Sequence, residues 1–300
     1  AADGTVLSGE FLVNTYTAAD QDVPAIGMDS TGNFVIAWAS NGQDGSDRGI
    51  YAKRFNASGV VQGSGEFLVS TTTANAQDFP SVAMDASGFV LVWEDAAKDG
   101  SGNGVFGQRF NSSGSRLGSE FQVNTTTANA QENAVVTSTG AGGFMVTWNS
   151  NLQDGALHGV YLRQYDSAGL ALTPETRTST TTAGEQLFPS VASDASGRVV
   201  AVWSGNGTGD TDGVFMQRYL YKAPPVITLS GTSGNYIENA AAVYDASATL
   251  TDADTTVFTN GQLLYQITAN GTASDELGIR NEGSGAGQIG LSGTSVTYGG

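Results

Sequence analysis

Apolar residues in this chain come in short runs of Val, Ile, Phe, Tyr and Trp, separated by clusters of Gly, Asp, Asn, Ser and Thr. Such runs suit a pleated, packed surface and predict strands. Near the N-terminus they are EFLVNT (10–15), PAIGMD (24–29), NFVIAW (33–38) and GIYAKRF (49–55). The stretch Phe34 to Trp38 is apolar on both faces, which predicts a strand covered on both sides. GIYAKRF is less one-sided, as expected nearer an edge. Between the second and third runs lies Asp-x-x-Gly, at Asp29–Gly32, Asp85–Gly88 and Asp194–Gly197, with Thr139-Gly140-Ala141-Gly142 in the corresponding place of another copy. Asp bonds its own turn backbone and Gly accepts positive φ, so this reads as a hairpin. No sustained 3.6-residue apolar period appears. The pattern is all-β.

The pattern also repeats. Trp38, Trp93, Trp148 and Trp203 are each 55 residues apart, and they are the only 4 tryptophans. A Glu opens each copy (Glu10, Glu66, Glu120, Glu175) and a Gln follows (Gln21, Gln77, Gln131, Gln186). A Gly starts the last run (Gly49, Gly104, Gly159, Gly213), with Arg54, Arg109, Gln164 or Arg218 near its end. Residues 9–222 thus form four copies of one unit. Four strands in each unit predict a propeller-like array of four-stranded blades, with a β-solenoid as the other architecture of this period. Residues 1–8 match the copy tails at 56–64 and 111–118. We expect the array to be truncated, part of a larger ring; in the alternative, the N-terminal piece completes the fourth copy.

After Tyr221-Lys222 the register ends in Ala223-Pro224-Pro225, a stiff linker. The expected division is therefore 1–222, a linker at 223–225, and a second domain at 226–300. That last region holds short strand candidates at turn-separated intervals, which predicts a β-sandwich.

The 300 residues fit about two domains. Formal charge is −17, charged residues are only 14%, and the 41 glycines are roughly twice the usual share. Nothing resembles the clustered Lys and Arg that nucleic acid requires. With no cysteine, disulfide scaffolds and thiolate metal sites are excluded. No apolar run approaches the ~18 residues of a membrane span.

The sole histidine, His158, sits in a loop where other copies carry Arg48, Asn103 or Asp212, and reads as a solvated loop residue. Acids that recur in every copy read as structural: the Glu and Arg as polar ties within or between blades, the Gln as a partner for buried loop backbone. Calcium takes six to eight oxygen ligands, and acidic loops supply them. Asp99 and Asn103, in Asp-x-Ser-x-Asn-Gly, and Asp210 with Asp212 are candidate ligands on the array. In the second domain Glu238-Asn239 precedes an apolar stretch, and Asp252-Ala253-Asp254 follows. Two Asp at i and i+2 of an extended chain project to one side and can converge on a cation.

The unit GEFLVSTTTANAQDFPSVAMDASGFVLVWEDAAKDGSGNGVFGQRFNSSGSRLG resembles repeats of large secreted, type-I-exported bacterial calcium-binding proteins of the RTX-adhesin kind. Residues 226–300 resemble a bacterial cadherin-like module through YIENAAAV and TLTDADTTVFTNGQLLYQI. That resemblance implies an Ig-like sandwich with Glu238, Asp252 and Asp254 on calcium. The expected function is a non-catalytic, calcium-stabilised adhesion module outside the cell. Its partners would be a surface glycan or protein and neighbouring repeats of the chain, with no nucleic acid and no membrane insertion. The rival is a polysaccharide-active hydrolase with its site on the blade array. It requires acids present in one copy and gathered at one face, and Asp95 is such an acid.

Overall fold

The computed structural model describes residues 4, 6–140, 142–194 and 196–221, with four short strands beyond them. The chain divides into two compact units, Ala1–Tyr221 and Lys222–Gly300. Among the described residues none is helical, and no helix there is long and apolar enough to cross a membrane.

The first unit is a series of antiparallel sheets with a propeller-like course. The first sheet contains β1 (Gln21–Met28), β2 (Phe34–Asn41), β3 (Arg48–Phe55) and β4 (Val61–Leu68), in that spatial order. The second contains β5 (Gln77–Asp85), β6 (Gly88–Ala96), β7 (Asn103–Asn111) and β8 (Arg116–Gln122). The third contains β9 (Gln131–Gly140), β10 (Gly143–Asn151), β11 (His158–Tyr165) and the two-residue β12 (Thr176–Arg177). The fourth has three strands, β13 (Gln186–Ser193), β14 (Arg198–Gly207) and β15 (Asp210–Leu220). In the second unit β16 (Val226–Thr228) pairs with β17 (Thr249–Thr251), and β18 (Ile289–Ser292) with β19 (Ser295–Tyr298). The rest of the expected sandwich lies outside the described residues.

The strand content of a repeat is as expected, but its phase is not. The Glu-led run opens no sheet: Glu66-Phe67-Leu68 ends β4, the outer strand of the preceding sheet. A tight turn explains this. Asn56 Oδ1 accepts from the backbone N–H groups of Ser58 and Val60 at 3.0 and 2.9 Å, and Gly59 takes φ +76°. That turn folds β4 straight back onto β3, so the first sheet is closed by residues of the next copy, as are the second and third.

The sheets pack face to face. In β6, Phe89, Leu91 and Trp93 enter a core with Val35, Ala37, Ile50 and Ala52 of the first sheet, while Val90 and Val92 enter a core with Val136, Phe144, Val146 and Trp148 of the third. Both sets of alternate positions are therefore buried, which is why the middle run is apolar throughout. Each indole stands opposite an aromatic residue, Tyr51, Phe106, Tyr161 or Phe215.

Polar ties supplement the cores. Glu66, Glu120 and Glu175 each accept from the backbone N–H and hydroxyl of a threonine (Thr15, Thr71, Thr125) in the loop that enters the same sheet, at 2.6–2.9 Å. Arg54 and Arg109 instead cross to the next sheet, donating to the Ser112 and Ser113 carbonyls and to those of Ser167 and Ala168. In the third copy Arg163 reaches the Val123 and Thr173 carbonyls at 2.9 and 3.3 Å.

Burial in two cores makes a direct prediction. Leu91→Ala, at a fully buried position, should cost about 2–5 kcal/mol in urea unfolding. Ile26→Ala, at a position 59% exposed on the open face of the first sheet, should cost less than about 0.5 kcal/mol. Comparable losses would mean that face is covered.

Candidate functional site

Each inner strand begins with a break in its ladder. The register slips between Asp22 and Ala25, between Asp78 and Ser81, opposite Thr147–Asn149, and between Leu187 and Ser190. Val23, Phe79, Asn133 and Phe188 take φ of +46°, +51°, +55° and +52° at these breaks. Asn tolerates that region, but a β-branched Val or a Phe is strained there. Pro24, Pro80 and Pro189 follow three of them, lacking an N–H where the ladder is interrupted. Such bulges re-aim neighbouring side chains.

The redirected residues meet partners from the start of the third strand in each sheet. Arg48 donates to Asp22 and Asp78 at 2.5 and 2.7 Å, bridging the first two sheets. At the next junction Asn103 donates to Glu94 at 3.0 Å and to Glu132 at 3.3 Å. At the third, His158 Nδ1 lies 2.7 Å from Glu185 Oε2. The loop histidine thus has a carboxylate partner.

Glu94 is the chemically distinctive member. It follows Trp93 in β6, on the face that turns toward the third sheet, and is only 4% exposed. Its Oε1 accepts from the Asn133 backbone N–H at 2.7 Å. Burial, together with the charges of Glu132 and Asp78, raises its pKa to about 7, against the pull of the Asn133 and Asn103 donors. Asp78 stands directly opposite it in the ladder. Asp78, Asn103 and Glu132 are half-buried, so the cluster meets solvent through them. A carboxyl group held protonated near neutrality beside further carboxylates can give and retake a proton.

Asp95 faces the other way. It is fully buried, 3.4 Å from Lys98 Nζ and from Gln77 Nε2, and burial raises its pKa. Lys98 also contacts Glu120 and lies 4.5 Å over the Phe106 ring. Asp95 and Lys98 thus belong to the tie that Gln43 and Gln153 make to Glu66 and Glu175 in neighbouring copies.

The proposed calcium ligands on the array turn to different partners. Asp99 accepts from the Ser101 N–H and from the Gln122 and Asn124 amides at 3.2–3.4 Å, while Asn103 serves Glu94 and Glu132. Asp210 accepts from the Asp212 N–H at 3.0 Å, and both are exposed. Glu238, Asp252 and Asp254 lie outside the described residues. Among the described residues no group of three or more His, Asp or Glu side chains is arranged to hold a metal ion.

Sequence reasoning passed over Glu94 in favour of its neighbour Asp95. The usable signal was that Ala39, Asn149 and Ser204 occupy its place in the other copies.

No family model matches the chain, and no curated protein does. Solved structures match in overall course. The endo-arabinase of Bacteroides thetaiotaomicron VPI-5482 is 14% identical, with 71% of this chain and 80% of that one covered and a TM-score of 0.46. A GH43 endo-arabinanase from Bacillus licheniformis is 14% identical over 70% and 74%, with a TM-score of 0.37. An alpha-L-arabinofuranosidase from Lactobacillus brevis is 12% identical over 66% and 70%, with a TM-score of 0.36. The likeness is one of all-β course at low identity, and transfers neither substrate nor catalytic residue. The expectation of a non-catalytic adhesion module is corrected by the carboxyl cluster itself. The structure gathers the copy-specific Glu94 at one junction with Asp78 and Glu132, which occupy the recurring register of Asp22 after the repeated Gln.

The protonation of Glu94 sets a pH dependence. Below pH 4.5 the group is protonated folded and unfolded; between 4.5 and about 7 the unfolded chain loses its proton first, so stability falls as pH rises. The loss should approach about 3 kcal/mol and level off above pH 7. Glu94→Gln should remove this loss and raise the urea midpoint at pH 8. Parallel pH profiles for the two proteins would place the Glu94 proton elsewhere.

Proposed function

We propose that the sheet array is a polysaccharide-active hydrolase whose site is the Glu94 junction. The carrying observation is a carboxyl group buried between two sheets with its pKa raised to about 7, flanked by Asp78 and Glu132. Glycoside hydrolysis needs such a pair: a protonated acid to meet the leaving oxygen, and a carboxylate to activate water or attack carbon. In this reading Glu94 is the general acid. Glu132, joined to it through Asn103, is the carboxylate partner. Asp78, paired with Arg48, keeps negative charge near Glu94 and so keeps its proton on. Hydrolase names among structures of similar course make arabinans the first substrates to try. A polymer of that kind fits an enzyme working outside the cell.

The test is turnover on a panel of arabinans, xylans and other glycans by reducing-sugar release. Activity should fall as pH rises past about 7, where Glu94 deprotonates. Glu94→Gln should lower kcat by roughly 10²–10⁴-fold on substrates with poor leaving groups. Glu132→Gln should abolish activity with the fold intact, whereas Asp95→Asn should act mainly on stability. No turnover on any glycan, or an undiminished rate in Glu94→Gln, would overturn the assignment.

A further inference from the structure

An amine and two carboxyl groups that the proposed hydrolysis does not use meet where β6 runs into its loop. Asp95 lies near the end of β6, Lys98 follows it in the turn, and Glu120 comes from β8. The Asp95 side chain is fully buried, that of Glu120 is 6% exposed and that of Lys98 20%. Lys98 Nζ lies 3.4 Å from Asp95 Oδ2, contacts Glu120 Oε1 and stands 4.5 Å over the Phe106 ring.

The neighbouring copies build the same tie without an amine. Ser40 and Gln43 hold the places of Asp95 and Lys98 in the first copy, and Ser150 and Gln153 hold them in the third. There the glutamine amide donates to the recurrent glutamate, Gln43 to Glu66 at 2.5 Å and Gln153 to Glu175. A serine and a glutamine therefore satisfy the position with no added charge. The second copy replaces both at once, by an acid and a nucleophile. Shielding an amine and an acid from water costs desolvation that the neutral pair avoids, so the tie alone does not call for them.

Burial pushes both partners toward neutrality. It lowers the Lys98 pKa against the attraction of Asp95, and raises that of Asp95 against the Lys98 charge and its hydrogen-bond donors. A neutral amine is a nucleophile, and a protonated carboxyl is an acyl donor with a hydroxyl to lose. The two oxygens of Asp95 are already told apart: Oδ1 faces the Gln77 amide at 3.4 Å, whereas Oδ2 faces Lys98. A donor on Oδ1 suits the oxygen that gains charge when the carbon is attacked. Glu120 is fixed as well. Its Oε2 accepts from the Thr71 N–H and hydroxyl, both at 2.8 Å, and its Oε1 is turned to Lys98.

We propose that Lys98 and Asp95 join in an intramolecular amide bond, with Glu120 relaying the protons. One proton passes from the Lys98 ammonium to the Glu120 carboxylate. The freed Nζ lone pair attacks Cγ of protonated Asp95 and forms the C–N bond. The Cγ–Oδ2 bond then breaks, and the departing hydroxide takes a second proton from Nζ, by way of Glu120, to leave as water. No oxidant, cofactor or activated ester is needed. Reacting groups held this close act at effective concentrations of roughly 10⁵–10⁸ M, which favours condensation in a shielded site. The bond staples the backbone beside Glu94, and it stands or falls independently of the hydrolase reading.

Mass spectrometry of the full chain tests this without any variant. The intact protein should weigh one water less than its sequence. Trypsin needs a free lysine side chain, so it should pass over Lys98 and release 55–109 as one peptide, lighter by one water, in place of 55–98 and 99–109. The double variant Asp95→Ser, Lys98→Gln carries the pair that two other copies hold, and should show the full mass of its own sequence. Glu120→Gln, measured in protein with native tryptophan fluorescence, should lower the rate of amide formation by roughly tenfold or more. A chain of full sequence mass that is cut at Lys98 would overturn the proposal, as would a water loss that persists in the double variant. A covalent link between peptides 55–109 and 117–163 would also overturn it, because Glu120 would then be the acyl donor.

Discussion

The structure depends on burying both faces of the strands inside the array, as in β6 and β10. Leu91 and Trp93 face one neighbour sheet while Val90 and Val92 face the other, so no sheet of the array can hide its apolar residues alone. The inner strands must approach closely for this to work. A Cβ at Gly27 would lie 2.8 Å from Val82 Cγ1 in the next sheet, so the bare glycine permits the contact. The cost of the arrangement falls on the outermost faces, where Ile26, Met28, Val214 and Met216 are left exposed.

The same alternation creates the chemistry. Moving along β6, the face that carries Val90 and Val92 continues into Glu94, which is taken into the junction with the third sheet. Burial disfavours its charged form, and two neighbouring acids add to the effect. The bulges at Phe79 and Asn133 set where those neighbours point. Packing and acidity are thus consequences of one geometry, read at different heights along the strand.

Much of the fold was legible because tryptophan spacing and apolar runs report directly on burial. The phase of the repeat was not. A period fixes a length, and only the Asn56–Gly59 turn decides that a Glu-led run closes the sheet behind it. The bulges were hidden too, since Val-Pro and Phe-Pro read as extended dipeptides rather than as residues with φ above zero. The recurrent acids were read as ties, and Glu66, Glu120 and Glu175 make such bonds. Glu94 escaped because its importance comes from residues in another copy, which neither spacing nor composition brings together.

Those residues set the three junctions apart. Between the first two sheets Arg48, a cation, pairs with both Asp22 and Asp78. Between the third and fourth, Leu187 replaces the acid register and His158 takes Glu185 instead. Only between the second and third does the partner of the third strand become a neutral amide, Asn103, shared by two carboxyl groups. The bulge responds in kind. Phe79 turns its N–H to its own Asp78 at 2.9 Å, whereas Asn133 turns its N–H across the junction to Glu94. There burial and the charges of Glu132 and Asp78 outweigh the Asn133 and Asn103 donors, and the Glu94 carboxyl is pushed up to about 7.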